Sequence, residues 1–322
     1  MSPSPIRIPQ YDPELQAFLD ANPAVSRVSL RPEGIPQLRK DFLSPGIEQI
    51  IGDRDIEVQE LTVAGYQGAP LAMTVLRSRR ATGNAPGIYH THSGGMIAGD
   101  RYIGLELIAQ FVQEFDAVCT SIEYRLAPEF ADPYPIEDCW AGLQYVSENL
   151  AELGIDPNRL IVAGMSAGGG LAAGLALMAR DRGGVKLAGQ LLMCPMLDES
   201  NDTESSHQFV DLGLWDRGSN DTGWNALLGN RRHTNEVTAY ASPSRAQSLS
   251  GLPPAFIDVG SLEVFRSEDV DYARRIWAEG GDAELHVWAN AFHGFDLAHP
   301  TAIISKLAIA ARRDWLARLL SR

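Results

Sequence analysis

The chain reads as an α/β protein: a mostly parallel, eight-stranded sheet flanked by helices, with a polar insertion at residues 196–250. Three observations predict this. Between residues 88 and 194, short apolar runs alternate with helix-length segments, the spacing of a parallel sheet covered on both faces. Runs such as 160–163 are continuous and lack polar alternation, as strands buried on both faces should be. Finally, Gly164-Met165-Ser166-Ala167-Gly168 follows one such run directly and opens a helix of small residues.

The elements follow in order. Residues 1–50 are rich in proline and hold one expected helix, 13–20. Stretches 56–63 and 71–76 read as an antiparallel strand pair at a sheet edge, joined by Gly65-Tyr66-Gln67-Gly68. Val58, Leu61 and Val63 fall there among polar residues, as in a half-exposed strand. Strand 88–91 is followed by helix 102–114, strand 117–122 by helix 136–150, and strand 160–163 by helix 167–180. Strand 191–194 comes next. The alternation breaks over the polar residues 196–250, which carry Trp215 and Trp224. It resumes with strand 255–259, helix 267–279 and strand 284–288. A last helix, 301–320, places Ile304, Leu307, Ala311, Trp315 and Leu319 on one stripe. The expected division is an N-terminal segment 1–50, a core of 51–195 with 251–322, and the insertion 196–250. The insertion is expected over the C-terminal edge of the sheet, where ligands bind in open α/β folds.

Composition narrows the function. The 322 residues are 45% hydrophobic, enough for one large α/β domain or a domain with an insertion. A net charge of −14 disfavours nucleic acid and anionic membrane surfaces as partners. Cys119, Cys139 and Cys194 are odd in number and sit in apolar or helical settings. No disulfide framework is expected, so a reducing, cytoplasmic setting is the default. Residues 1–9 hold no apolar signal segment, and Ser2 stands where N-myristoylation requires glycine. No run approaches the ~18 apolar residues of a membrane span.

A serine on a tight strand-to-helix turn has its hydroxyl lifted out of the sheet toward a cleft. The hydroxyl is a poor nucleophile unaided. It needs a base, an acid that orients the base, and donors for a developing oxyanion. The strand-end loops supply each. After residues 88–91 the chain continues His92-Ser93-Gly94-Gly95-Met96. Glycines there let the Gly94 and Gly95 amides approach an oxyanion, with the Ala167 amide as the third donor. His90 and His92 could be read as a metal pair, but no acidic or further histidine partner follows at ligand spacing. No metal and no cofactor is therefore expected. Past strand 255–259 comes Glu263, with Asp258 as its rival inside the strand. Past the last strand comes Phe292-His293-Gly294, a histidine placed as a base. The chain order is then Ser166, Glu263, His293: nucleophile, acid, base. His286 and His299 are read as structural, and His207 and His233 receive no role.

From about residue 56 to its C-terminus the chain resembles the hormone-sensitive-lipase-like branch of the α/β hydrolases, esterases with an HGGG motif. Five stretches carry the resemblance: His92-Ser93-Gly94-Gly95, Tyr124-Arg125-Leu126-Ala127-Pro128-Glu129, Tyr134-Pro135-Ile136-Glu137-Asp138, Gly164 to Gly169, and Phe292-His293-Gly294. The resemblance implies an α/β-hydrolase fold with a cap, and hydrolysis of carboxylic esters of small to medium acyl or alcohol groups. It implies Ser166 as nucleophile, His293 as base, and Gly94, Gly95 and Ala167 as the oxyanion hole. Ser93 departs from the branch's usual glycine, Met165 from its Asp or Thr, and Glu263 from its Asp. Glu263 is still the expected acid, with Glu268 and Asp269 as alternatives. Arg125, Glu129 and Asp138 are expected to form one polar network beneath the oxyanion loop. The implied cap joins the N-terminal segment to residues 196–250, with Phe209, Leu214, Trp215 and Trp224 as pocket walls or cap packing. The resemblance also implies a possible homodimer through strand 284–288 and the final helix. Lactonase, amidase and transacylase readings use the same residues. A non-catalytic receptor of this branch would lack the catalytic histidine, whereas His293 is present.

Overall fold

The computed structural model describes residues 9–23 and 29–321; the extreme N-terminus, read above for its lack of a signal segment, lies outside them. Each apolar run becomes a strand. They are β1 (Ile56–Ala64), β2 (Pro70–Ser78), β3 (Ala85–Thr91), β4 (Val118–Ile122), β5 (Ile155–Met165), β6 (Gly189–Met193), β7 (Ala255–Gly260) and β8 (Ala283–Trp288). They form one sheet in the order β1-β2-β4-β3-β5-β6-β7-β8. β1 and β2 are antiparallel, as is β2 with β4, and every later pairing is parallel.

Twelve α-helices occur among the described residues: α1 (Pro13–Ala21), α2 (Ile35–Asp41), α3 (Ile47–Ile51), α4 (Leu105–Glu114), α5 (Tyr134–Glu148), α6 (Leu150–Leu153), α7 (Ala167–Arg182), α8 (Glu204–Gln208), α9 (Arg217–Leu228), α10 (Arg266–Ala278), α11 (Phe295–Ala298) and α12 (Ile303–Leu320). Among them, none is long and apolar enough to cross a membrane. The short helices α2 and α3 were not expected from the sequence.

The continuous apolar runs divide between the two faces of the sheet. Tyr89, Leu160 and Val162 pack with α5 and α7 in the larger cluster, while Ile88, Ile161 and Ala163 pack with α4 and α12 in the second. Residues 167–179 of α7 are all buried, so its run of glycines and alanines lets the helix lie close against the strands. A third cluster joins Leu15 and Leu19 of α1 to Ala291, Phe292 and Phe295. The N-terminal helix thus packs on the loop that carries His293.

The last helix turns most of its expected stripe inward: Trp315 is buried, Ile304, Ala311 and Leu319 pack partly buried against the clusters, and Leu307 alone of the five faces out. Ser305, Ala308, Arg312, Trp315 and Leu316 are buried, whereas Leu307 is 56% exposed. The physical reason is Arg312. Its guanidinium is buried with carboxylate partners, so a charged residue lies on the inner face that apolar counting assigns to Leu307.

Residues 196–250 hold α8 and α9. Asp216 caps α9 through the amides of Gly218 and Ser219 and also accepts a hydrogen bond from Ser29 Oγ at 2.5 Å. Leu30 bonds Ser219 Oγ through its amide at 2.9 Å and Thr222 Oγ1 through its carbonyl at 2.7 Å. The N-terminal segment is therefore tied to α9.

Candidate active site

Ser166 stands between β5 and α7 with φ 56° and ψ −123°. The turn is tight because two glycines allow it. A Cβ on Gly164 would lie 2.2 Å from the Gly168 carbonyl oxygen, and one on Gly168 would lie 2.1 Å from that of Thr91. The Ser166 amide donates to the Met193 carbonyl at 2.8 Å, and its own carbonyl accepts from Met196 at 3.0 Å. Behind it, Met165 is buried in the second apolar cluster.

His293 and Glu263 come from two other strand-end loops. His293 Nε2 lies 3.0 Å from Ser166 Oγ, and Nδ1 lies 2.5 Å from Glu263 Oε2. A carboxylate only accepts, which places the ring proton on Nδ1 and leaves Nε2 to accept from the serine hydroxyl. Glu263 is held in turn: its Oε1 accepts the Gly260 amide at 2.7 Å. Its side chain is fully buried, while that of His293 is 11% exposed. Glu263 reaches His293 because the turn at 260–262 lies against the histidine loop. Leu262 donates to the Ala291 carbonyl at 2.9 Å, and Ser261 to that of Trp288 at 2.8 Å. Phe265 meets the imidazole edge-on at 5.1 Å.

The alternative acids point elsewhere. Glu268 Oε1 accepts the amides of Leu197 and Asp198, and Asp258 pairs with Arg312 and Trp288. Asp269 is buried, and neither of its oxygens finds a partner among the described residues.

Beside the serine, Gly94 (φ 121°) and Gly95 (φ 62°) occupy left-handed backbone. A Cβ on Gly94 would lie 2.0 Å from the Ala98 carbonyl oxygen, so only glycine fits this turn. Ala167 is the first residue of α7, where amides have no acceptor within the helix. His92 supports this loop. Its Nδ1 donates to the Ser93 carbonyl at 2.8 Å, and its ring stacks on Tyr124 at 4.0 Å. Tyr124 Oη donates to the His92 carbonyl at 2.9 Å. His90 bonds Ser121 instead, at 2.9 Å, so the two histidines do not share a partner.

The expected single network of Arg125, Glu129 and Asp138 is in fact two. Arg125 forks onto Asp138 at 2.8 and 2.7 Å, and Asp138 also accepts the Tyr66 amide. Glu129 pairs with Arg39 of α2 at 2.7 Å, and Arg39 also donates to the Ile97 and Ala127 carbonyls. The hydrogen bond from Arg39 pulls Glu129 down to about 2. Arg39 thus braces the glycine loop from a helix with no signal in the sequence. Its partners lie far away along the chain.

The four aromatic and apolar residues named as walls differ in placement. Trp215 lies over the glycine loop, its Cη2 2.6 Å from where a Gly95 Cβ would stand. Leu214 is partly buried against the cluster around Phe292. Phe209 and Trp224 are enclosed, at 2% and 0% exposure. A residue the sequence left without a role also lies here. Cys194 Sγ, with the ligand atoms of Glu263 and His293, forms a group within 4.8 Å. Burial, then the carboxylates of Glu263, Asp296, Asp258 and Asp269, push its thiol well above the ordinary value. It is a neutral thiol and a poor nucleophile. All three cysteines are free and buried. Of the remaining histidines, His286 stacks between Phe256 and Trp288, His299 stacks on Phe18, and His207 bonds Asp202.

The sheet order and the serine-bearing turn after β5 are those of an α/β hydrolase. A family model for the alpha/beta hydrolase fold matches residues 88–297, and the chain belongs to this family, in its hormone-sensitive-lipase-like branch. Carboxylesterase NlhH from Mycobacterium tuberculosis is 34% identical over 305 residues, covering 89% of each chain. Esterase LipI from the same organism is 29% identical over 289 residues, covering 89% of this chain and 88% of that one. The solved structure of a bacterial heroin esterase matches with TM-score 0.89 at 34% identity, over 97% of this chain and 98% of that one. Esterase LipW from Mycobacterium marinum matches with TM-score 0.86 at 30% identity, over 97% of each.

Burial, then the neighbouring His92, lowers His90 to about 3, and burial lowers His92 as well. Both rings should stay neutral under the brace of the glycine loop. Imidazole NMR should show His90 unprotonated from about pH 8 down to about pH 5, where free histidine gains its proton. A His90 resonance titrating in that range would contradict this.

Proposed function

We propose that this chain, a carboxylic ester hydrolase, cleaves esters of small to medium acyl or alcohol groups through an acyl-enzyme on Ser166. The supporting observation is the hydrogen-bonded line from Ser166 Oγ through His293 to Glu263, at 3.0 and 2.5 Å, on a strand-to-helix turn. Ser166 Oγ attacks the ester carbonyl carbon as its proton passes to His293 Nε2. Glu263 orients the ring and stabilises the imidazolium. The carbonyl oxygen becomes an oxyanion facing the Gly94, Gly95 and Ala167 amides. As the intermediate collapses, the alcohol leaves with the proton from His293. Water then attacks the acyl-serine, giving its proton to His293, and the second collapse frees the acid and restores the Ser166 hydroxyl.

Residues 196–250 and the N-terminal segment act in this reading as a cap, tied together through Ser29, Leu30 and α9. Trp215 is its wall on the glycine-loop side and Leu214 on the side of the histidine loop, while the enclosed Phe209 and Trp224 hold the cap together. A Trp ring over Gly95 limits the space beside the oxyanion hole, which favours compact esters. The reading extends to a homodimer through β8, which ends the sheet, and α12, with Val287 42% exposed on the strand.

Turnover of p-nitrophenyl esters should be fastest for short to medium chains. Ser166→Ala should lose about 10⁴-fold or more, and Glu263→Gln about 10²–10⁴-fold. Gly95→Val, which drives a side chain into Trp215, should also lose turnover. Wild-type rates in a folded Ser166→Ala variant would contradict the nucleophile. Sedimentation equilibrium should give twice the chain mass; a monomer at every concentration would contradict the dimer.

A further inference from the structure

The loops that carry the base and the acid converge on one buried cation. Arg312 of α12 is 1% exposed. Its Nε donates to Asp258 Oδ2 at 2.9 Å, its Nη2 lies 2.8 Å from the same oxygen, and its Nη1 donates to Asp296 Oδ2. Asp258 lies in β7, just ahead of the turn that presents Glu263. The same Oδ2 accepts from Trp288 Nε1 of β8 at 2.9 Å. The Asp258 carbonyl accepts the Cys194 amide at 2.6 Å, on the loop leaving β6. Asp296 lies in α11, one turn past His293, and is 5% exposed.

Two carboxylates this buried and this close cannot both stay ionised without a cation between them. Burial raises the Asp258 carboxyl, and Arg312 is the principal group pulling it back down. Burial works against the charge of Arg312 too, but the two carboxylates more than offset this and hold it above its ordinary value. Remove the guanidinium, and one acid must take a proton or swing toward water. Either change shifts the end of β7 or the 291–296 loop. A lysine ammonium keeps the charge but lacks the planar fork that spans both acids.

We propose that Arg312 is a positioning residue: by bridging Asp258 and Asp296 it fixes the spacing between the turn carrying Glu263 and the loop carrying His293. This rests on the reading of Ser166, His293 and Glu263 as the reacting set. Arg312 touches neither substrate nor any of those three side chains. Its effect falls on turnover and not on ester binding, because a displacement of about 1 Å in a reacting geometry costs about 10²-fold in rate.

The test uses the full chain, Arg312→Lys, and a charge-free triple variant, Arg312→Met with Asp258→Asn and Asp296→Asn. The triple variant removes all three charges of the network together, so folding is separated from positioning. Circular dichroism and thermal melting report folding. Kinetics on p-nitrophenyl butyrate give kcat and KM separately. The low-field proton NMR resonance of the His293–Glu263 hydrogen bond reports the local geometry. We expect folded Arg312→Lys to lose about 10- to 100-fold in kcat, with KM nearly unchanged and the low-field resonance shifted or broadened. The triple variant should melt close to wild type yet show the same loss of kcat. A folded variant of either kind with wild-type kcat and an unchanged resonance overturns the proposal. Should Arg312→Lys not fold, the triple variant decides. Failure of both to fold makes the network a stability element and also overturns it. A wild type that neither turns over esters nor is labelled at Ser166 by a fluorophosphonate overturns the underlying reading instead.

Discussion

Ser166 occupies a left-handed backbone conformation that residues with side chains rarely adopt, and much of the surrounding sequence serves to keep it there. Its amide and carbonyl are both tied to the chain leaving β6. The helix that begins at Ala167 approaches β3 so closely that Gly168 touches the Thr91 carbonyl, and Thr91 Oγ1 in turn donates to the Gly168 carbonyl at 2.7 Å. That closeness explains why the start of α7 is glycine and alanine. It also explains why the His92–Gly95 loop, which leaves β3, lies beside the serine. The hydroxyl sits at the helix N-terminus, where the unpaired amides and the helix dipole favour developing negative charge.

The remaining parts of the site are held by polar groups with defined partners, buried around His92 and Arg312 and partly exposed at Arg39. The glycine loop is braced by neutral His92 and Tyr124 on one side and by charged Arg39 on the other. The loops that carry Glu263 and His293 are joined directly by hydrogen bonds from 261 and 262 to 288 and 291, and indirectly through Arg312. At the buried members, breaking one of these hydrogen bonds costs more than the bond itself contributes. The apolar faces of the sheet then need only supply burial, and α1 adds a small apolar cluster behind Phe292.

The inner strands were legible because continuous burial writes short apolar runs, and each expected strand from 56 to 288 overlaps an observed one, with 117 and 194 falling just outside. The motif residues were legible because tight turns restrict composition: Gly94, Gly164 and Gly168 tolerate no side chain. Their loops leave neighbouring strand ends, so chain order sufficed to bring Ser166, Glu263 and His293 to one place. What stayed hidden depends on partners distant in sequence. Glu129 was grouped with Arg125, but Arg39 from α2 takes it. Leu307 was placed inside and Arg312 went unread, because a stripe of apolar residues does not reveal a buried charge whose partners lie on β7 and α11. Phe209 and Trp224 were indistinguishable from Trp215 by type, since which aromatic faces a cleft depends on how α9 sits.

In the proposed reaction an ester carbonyl is attacked by Ser166 while its oxygen rests on three backbone amides. A crystal structure of the protein after reaction with a p-nitrophenyl phosphonate tests this most directly. A Ser166 adduct is expected, with one phosphonyl oxygen about 2.7–3.1 Å from the Gly94, Gly95 and Ala167 nitrogens. An adduct on another residue, or one whose oxygen points away from those amides, would contradict it.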